Sequence, residues 1–169
     1  MNPFIRFYYQ HMDPRCSIGK NVRIGRGTVF EMPLWVPFVD GVRVRRRAEA
    51  GISIGDDVDI AGNNTIVWGI ERPTRIEDRV WIAHGNMIGH GCIIGEGSVI
   101  VSKVGLCGLV EIGEWCFISA GVTVQPEKKI GDFTLIGAHS NVTRDIPPGV
   151  IAYGNPCKVI RENTWRPPR

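Results

Sequence analysis

Four histidines raise the first chemical question in this sequence: His11, His84, His90 and His139. An imidazole titrates near neutrality, so it suits a general base at pH 7, and it is also a common metal ligand. Spacing separates the two uses. Three histidine ligands of a zinc ion must converge on one point, with zinc–nitrogen bonds of about 2.0–2.1 Å. His84 and His90 stand six residues apart, and His139 follows His84 by 55 residues. His11 lies near the start of the chain, in a different sequence context. The five cysteines are odd in number and show no metal-type pairing. No metal is expected.

The pattern around these residues says where they stand. Read in sixes from Ile76 to Pro147, the leading residues are Ile76, Ile82, Ile88, Ile94, Ile100, Leu106, Ile112, Ile118, Val124, Ile130, Ile136 and Val142. All are aliphatic. Four residues after each lead stands a usually small side chain, such as Val80, Asn86, Cys92, Ser98 or Cys116. A period of six is neither the 3.6 of a helix nor the alternation of a simple strand. It suits a chain that runs straight briefly, turns a corner and repeats. Three sides close a triangular coil of about 18 residues, and stacked coils pair as parallel strands around the leads. The fold class is therefore all-β, a parallel β-helix.

Counting by sixes places the histidines. His84 and His90 each stand two after a lead, at outward corners one side of the triangle apart. His139 stands three after its lead, on the corner of His84 but three coils on, roughly 14 Å away at about 4.8 Å per strand. This disfavours a shared metal; His84 is physically suited to act as a general base. Its corner faces solvent, where a substrate can reach, and Gly85 leaves room beside it. His90 has the equivalent place in the next six, so spacing alone does not separate the two.

Composition narrows the class. A length of 169 residues suits one domain over 1–169, with regular coils at 76–147, and 21 glycines suit many tight corners. No apolar run reaches 18 residues, so membrane insertion is not expected. The segment MNPFIRFYYQHMDPR lacks the form of a signal peptide, and cytoplasmic residence is expected. A net charge of +3 is too small to argue for nucleic acid. Cys92 and Cys116 fall on inward positions and read as core filler.

The sixes are interrupted three times. Residues 1–17 hold the apolar cluster Phe4, Ile5, Phe7, Tyr8 and Tyr9, expected to cap the stack or pack on a neighbouring subunit. Residues 30–51 lose the clear pattern, although a register of six still counts from Phe30 to Ile54. They read as a decorated coil or a projecting hairpin. Arg43, Arg45, Arg46 and Arg47 within it read either as a phosphate clamp or as a solvated loop. Four extra residues within Val67–Arg75 form a corner insertion; Trp68, Glu71 and Arg72 there either line an acceptor pocket or belong to a tolerated surface loop. After Pro147 the pattern ends. VIAY is expected to be a last edge strand, and the tail from Arg161 a short helical turn followed by disorder.

Several segments now point to a family. The long array, with IAHGNMIG, IIGEGSVIVSKVGLCGLVEIG and IGAHSNVTRDIPPG, resembles the hexapeptide-repeat acyltransferases, and within them the UDP-3-O-acylglucosamine N-acyltransferases. The ending IAYGNPCKVIRE resembles the acetyl-CoA-using sugar acetyltransferases. The resemblance covers residues 18–29 and 52–162. It implies a left-handed helix, a homotrimer with active sites between subunits, and His84 as the catalytic histidine. It further implies that Ser102, Ala120 and Ala138 line the pantetheine arm of the coenzyme. Thr143, Arg144, Lys158 and Arg161 fall on its cationic and adenine-binding positions. A second histidine of the N-acyltransferases is replaced here by the turn carrying Gln125, Glu127, Lys128 and Lys129.

The expected function is acetyl transfer from acetyl-CoA to an amino group of a sugar, in nucleotide-linked form, within surface polysaccharide synthesis. O-acetylation of a free or lipid-linked sugar and a non-catalytic trimeric scaffold are the alternatives. A zinc lyase on the same helix is disfavoured by the histidine spacing.

Overall fold

The computed structural model describes residues 16–31 and 51–167. Within them the chain winds as a three-faced parallel β-helix of the left-handed class, in about six turns. Face one stacks the strands Cys16–Ile18, Ile52–Ile54, Thr74–Ile76, Ile93–Ile94, Glu111–Ile112 and Lys129–Ile130. Face two stacks Arg23–Ile24, Asp59–Ile60, Trp81–Ile82, Val99–Ile100, Phe117–Ile118 and Leu135–Ile136, then Val150–Tyr153 and Lys158–Glu162. Face three stacks Val29–Glu31, Thr65–Val67, Met87–Ile88, Gly105–Leu106, Thr123–Val124 and Asn141–Val142.

The twelve leads are all buried, none more than 2% exposed, and form one continuous core. Each lead sits over a lead, as in Ile82↔Ile100↔Ile118↔Ile136, so the strands pair in register and the aliphatic side chains stack in columns. Burial of a side chain this size contributes roughly 1.5–3 kcal/mol. That is how strands of two residues hold together.

The corners need one unusual backbone conformation each. From Ile76 to Ile136 the third residue after every lead has positive φ: Arg79, Gly85, Gly91, Gly97, Lys103, Leu109, Trp115, Gly121, Glu127, Phe133 and His139. Seven of these are not glycine, so tertiary pairing overrides the local cost of the left-handed region.

Register exposes both insertions. Regular coils pair residues 18 apart, as Ile76↔Ile94. Ile54↔Ile76 are 22 apart, so the four-residue insertion falls between face three and face one, as expected. Ile18↔Ile54, Ile24↔Ile60 and Phe30↔Ile66 are 36 apart. The first coil therefore pairs directly with the second. Arg43, Arg45, Arg46, Arg47, the N-terminal apolar cluster and His11 lie outside the described residues.

The C-terminal expectation is corrected. Val150–Tyr153 is not the edge of face two: Lys158–Glu162 returns antiparallel along it, with Tyr153↔Lys158 and Ile151↔Arg161. The tail is a strand where a helical turn was expected, because Val159 and Ile160 are β-branched residues beside an open strand edge. Beyond it, Asn163 donates from Nδ2 to Phe133 O at 2.8 Å and pins the extended tail.

Candidate active site

The corner between faces two and three carries a single column of residues two after each lead. From the first coil downward it reads Arg26, Gly62, His84, Ser102, Ala120, Ala138. Three of the residues assigned to the coenzyme from sequence thus stand directly below His84, one per coil, joined by Lys103 N to His84 O at 3.2 Å, Gly121 N to Ser102 O at 3.0 Å and His139 N to Ala120 O at 2.9 Å.

The turn that carries His84 is clipped from inside. Asn86 donates from Nδ2 to Ala83 O at 2.9 Å and accepts Val104 N at Oδ1, at 2.8 Å. Asn64 one coil above accepts Asn86 N at 2.8 Å. Two buried asparagines therefore tie the corners of three coils. Each satisfies backbone groups that would otherwise be orphaned at a buried turn. His84 itself is exposed, beside Gly85 at φ 71°, where a methyl group would meet nothing within 4 Å. A base held on a rigid turn with open space before it suits proton transfer to a bound substrate.

Above His84 opens a cavity of about 460 Å³, lined by Arg23, Arg26, Asp59, Gly62, Asn63 and His84, among others. Arg23 Nη2 is ion-paired with Asp59 Oδ2. Sequence reasoning did not single out Arg23, Arg26, Asp59, Asn63 or the two clip asparagines. Asn64 and Asn86 carried a signal, since they stand where other coils have small or aliphatic residues.

The remaining assigned residues spread over the surface. Lys158, exposed opposite Tyr153, lies at the lower end of the same corner. Thr143 and Arg144 are exposed on the next corner, between faces three and one. Arg161 is exposed on face two, opposite Ile151, and donates from Nη1 to Glu162 O at 3.2 Å. Within the chain the structure aligns His84, Ser102, Ala120, Ala138 and Lys158 along one corner. It does not bring Thr143, Arg144 or Arg161 to that column. His139 shares the corner, its ring against Gly121.

The corner insertion lies on the third corner, away from His84. Trp68 there is buried. Arg72 donates to Gly91 O at 2.7 Å, to Leu109 O at 3.0 Å and to Glu111 Oε1 at 2.6 Å. Lys129 Nζ reaches Glu111 Oε2 at 2.9 Å. The hydrogen bond from Arg72, then that from Lys129, holds the Glu111 carboxyl below its ordinary value. This group ties coils together and does not border the His84 cavity. His90 stands on the same corner, packed over Gly108, with Nδ1 buried and without a partner. Cys92 and Cys116 are buried, and desolvation pushes each thiol up to about 11. Neither is poised as a nucleophile. Among the described residues no group of three His, Cys, Asp or Glu side chains is placed to hold a metal, and no helix is long and apolar enough to cross a membrane.

Repeat, corner geometry and column define a hexapeptide-repeat protein, and comparison with known proteins agrees. Residues 73–108 match the family described as bacterial transferase hexapeptide (six repeats). The chain is 37% identical over 120 residues to the UDP-3-O-acylglucosamine N-acyltransferase of Methylorubrum extorquens strain PA1, covering 68% of this chain and 32% of that protein. It is 38% identical over 147 residues to the galactoside O-acetyltransferase of Escherichia coli K12, covering 86% of this chain and 56% of that one. The resemblance expected from the motifs therefore stands, while the chain spans about a third of the first relative and about half of the second. Among solved structures, PerB from Caulobacter crescentus in complex with CoA and GDP-perosamine shares the fold, with a TM-score of 0.63 and 24% identity over 82% of this chain and 58% of that one.

Proposed function

We propose that this chain is an acyltransferase that moves an acetyl group from acetyl-CoA to an amino group of a sugar, presented as a nucleotide sugar, in surface polysaccharide synthesis. One observation carries the reading: an exposed histidine on a clipped corner, with Ser102, Ala120 and Ala138 stacked below it and Lys158 at the column's end. The small side chains leave the corner's backbone groups open to a pantetheine arm, and Lys158 suits a phosphate. His84 accepts the proton of the acceptor amine as its nitrogen forms a bond to the thioester carbonyl carbon. The carbon–sulfur bond then breaks, and the thiolate leaves with the electron pair. Backbone N–H groups of the corner stabilise the oxyanion. The relatives named for acyl transfer to sugars and the neighbour named with CoA and GDP-perosamine support this.

The active assembly in this reading is a homotrimer in the cytoplasm. Face two supports it: Trp81, Val99, Phe117, Leu135 and Ile151 point outward in successive coils, with Trp81 and Phe117 42% and 43% exposed. Apolar ladders of this kind are usually covered. Thr143, Arg144 and Arg161 then meet the coenzyme of a neighbouring copy. The galactoside O-acetyltransferase likeness over 86% of the chain favours sugar hydroxyl acceptors as the second reading. A coupled free-thiol assay with acetyl-CoA decides: amino sugars on nucleotides should release CoA, and turnover restricted to hydroxyl acceptors would replace the first reading with the second. No CoA release with either class would remove both.

A further inference from the structure

The column at the active corner has two unlike halves. Below His84 it is small and uncharged; above it come Gly62 and then Arg26. Gly62 is the gap between a guanidinium and the base. A methyl group there would stand 2.6 Å from Arg26 O, so this position admits no side chain without displacing backbone. Arg26, Gly62 and His84 all line the cavity of about 460 Å³.

The cavity's charge is uneven. Arg23 and Asp59 neutralise one another across neighbouring coils. Arg26, exposed, has no carboxylate partner among the described residues. Among the described residues the lining therefore carries one positive charge without an ion-pair partner, with Asn63 beside it as a neutral hydrogen-bonding group. Two strand spacings separate the corners of Arg26 and His84, roughly 10 Å at about 4.8 Å each. A hexose with a phosphate on its anomeric carbon and its reacting group across the ring is of comparable length.

We propose that the cavity above His84 is the acceptor subsite, and that Arg26 anchors a phosphate on the acceptor sugar. This rests on the acetyltransferase reading and adds the residue that selects the substrate. A guanidinium fork matches phosphate oxygens, and the Arg23–Asp59 pair walls the cavity without competing for the anion. Sugars without phosphate lack this anchor and should bind poorly.

The test is calorimetric titration of the full chain with CoA, then with uridine diphosphate and with uridine in saturating CoA. The expected result is uptake of uridine diphosphate and not of uridine, weakened about tenfold or more in Arg26→Gln, with CoA affinity and melting temperature unchanged. That factor follows from charge-assisted hydrogen bonds of roughly 1.5–3 kcal/mol. Equal uptake by the wild type and Arg26→Gln overturns the proposal, as does no uptake by a chain that binds CoA. Failure to bind CoA overturns the acetyltransferase reading instead, and Arg26-dependent uptake of uridine diphosphate would then still establish the anion subsite.

Discussion

His84 and His90 occupy the same place in consecutive repeats, two residues after a buried isoleucine, yet their corners differ. His84 projects into open space beside Gly85, on a turn clipped by buried asparagines. His90 lies against Gly108 with a buried, unpartnered Nδ1, on a corner thickened by the Trp68–Pro73 insertion. The repeat sets direction and register. The neighbours in the column, one coil above and one below, set exposure. A chemical role in such a fold is thus read down a column, across residues 18 apart, more than along the chain.

The sharpest way to break this contrast is to remove each imidazole. His84→Ala should lower turnover by about 10²–10⁴, the usual range for a general base, while melting within about 0.5 kcal/mol of wild type. His90→Ala should keep most turnover and change stability instead. A His90 variant that loses turnover at unchanged stability would reverse the assignment of the two corners.

The column's lower end gives the next effect. Lys158→Ala should raise the Michaelis constant for acetyl-CoA about tenfold, from one lost charge-assisted contact. Arg144→Ala should do so in an assembly where a neighbour's corner reaches the coenzyme. In calorimetric CoA binding at concentrations where the copies separate, Arg144→Ala should have no effect of its own, while Lys158→Ala should still weaken binding. Equal behaviour of the two variants in separated subunits would remove the distinction between the corners.

Much of this was legible because burial repeats. The twelve leads and the corners of His84, His90 and His139 followed from counting, since an 18-residue coil fixes which corner a position occupies. Three things were hidden for physical reasons. The first two coils pair residues 36 apart, a multiple of six and so invisible to a period. Arg26, Asp59 and His84 come together only through that 36-residue pairing and the 22-residue pairing of the next coil, so no local motif contains them. The tail pairs with Val150–Tyr153 by tertiary contact, which local helix and turn signals do not record. Asn64 and Asn86 were visible as polar residues at inward positions, but their role depends on the backbone groups of adjacent coils.

Glycines sharpen the comparison in smaller steps. Gly108→Ala drives a methyl group into the His90 ring and should cost about 1–3 kcal/mol, with turnover kept. Gly85→Ala meets no atom, but its φ of 71° disfavours a side chain, so about 1 kcal/mol is expected from backbone strain alone. Thermal melts of both, with His90→Ala added to Gly108→Ala, decide the cause. The double variant should recover part of the Gly108→Ala loss. A Gly108 variant with no loss would show that the third corner yields as readily as the second.

The smallest expected effect separates the corners by pH. Glu111 is held by Arg72 and Lys129, and its carboxyl lies below the ordinary glutamate value. A carboxyl whose pKa is depressed on folding contributes stability that is present above its unfolded value, about 4.3, and is lost as pH falls through the folded value. The side chains of the Arg72–Glu111 pair are 31% and 30% exposed, so solvent screening limits the contribution to about 0.2–1 kcal/mol. Glu111→Gln should therefore melt slightly below wild type at pH 6–8, and the gap should shrink as the pH drops below about 4. Arg72 keeps its hydrogen bonds to Gly91 O and Leu109 O in that variant, so the corner itself should persist. Turnover at pH 7 should not change, because nothing in this network borders the His84 cavity. A gap that widens on acidification would have the wrong sign for a depressed carboxyl, and a loss of turnover would place the third corner in the chemistry from which its packing separates it.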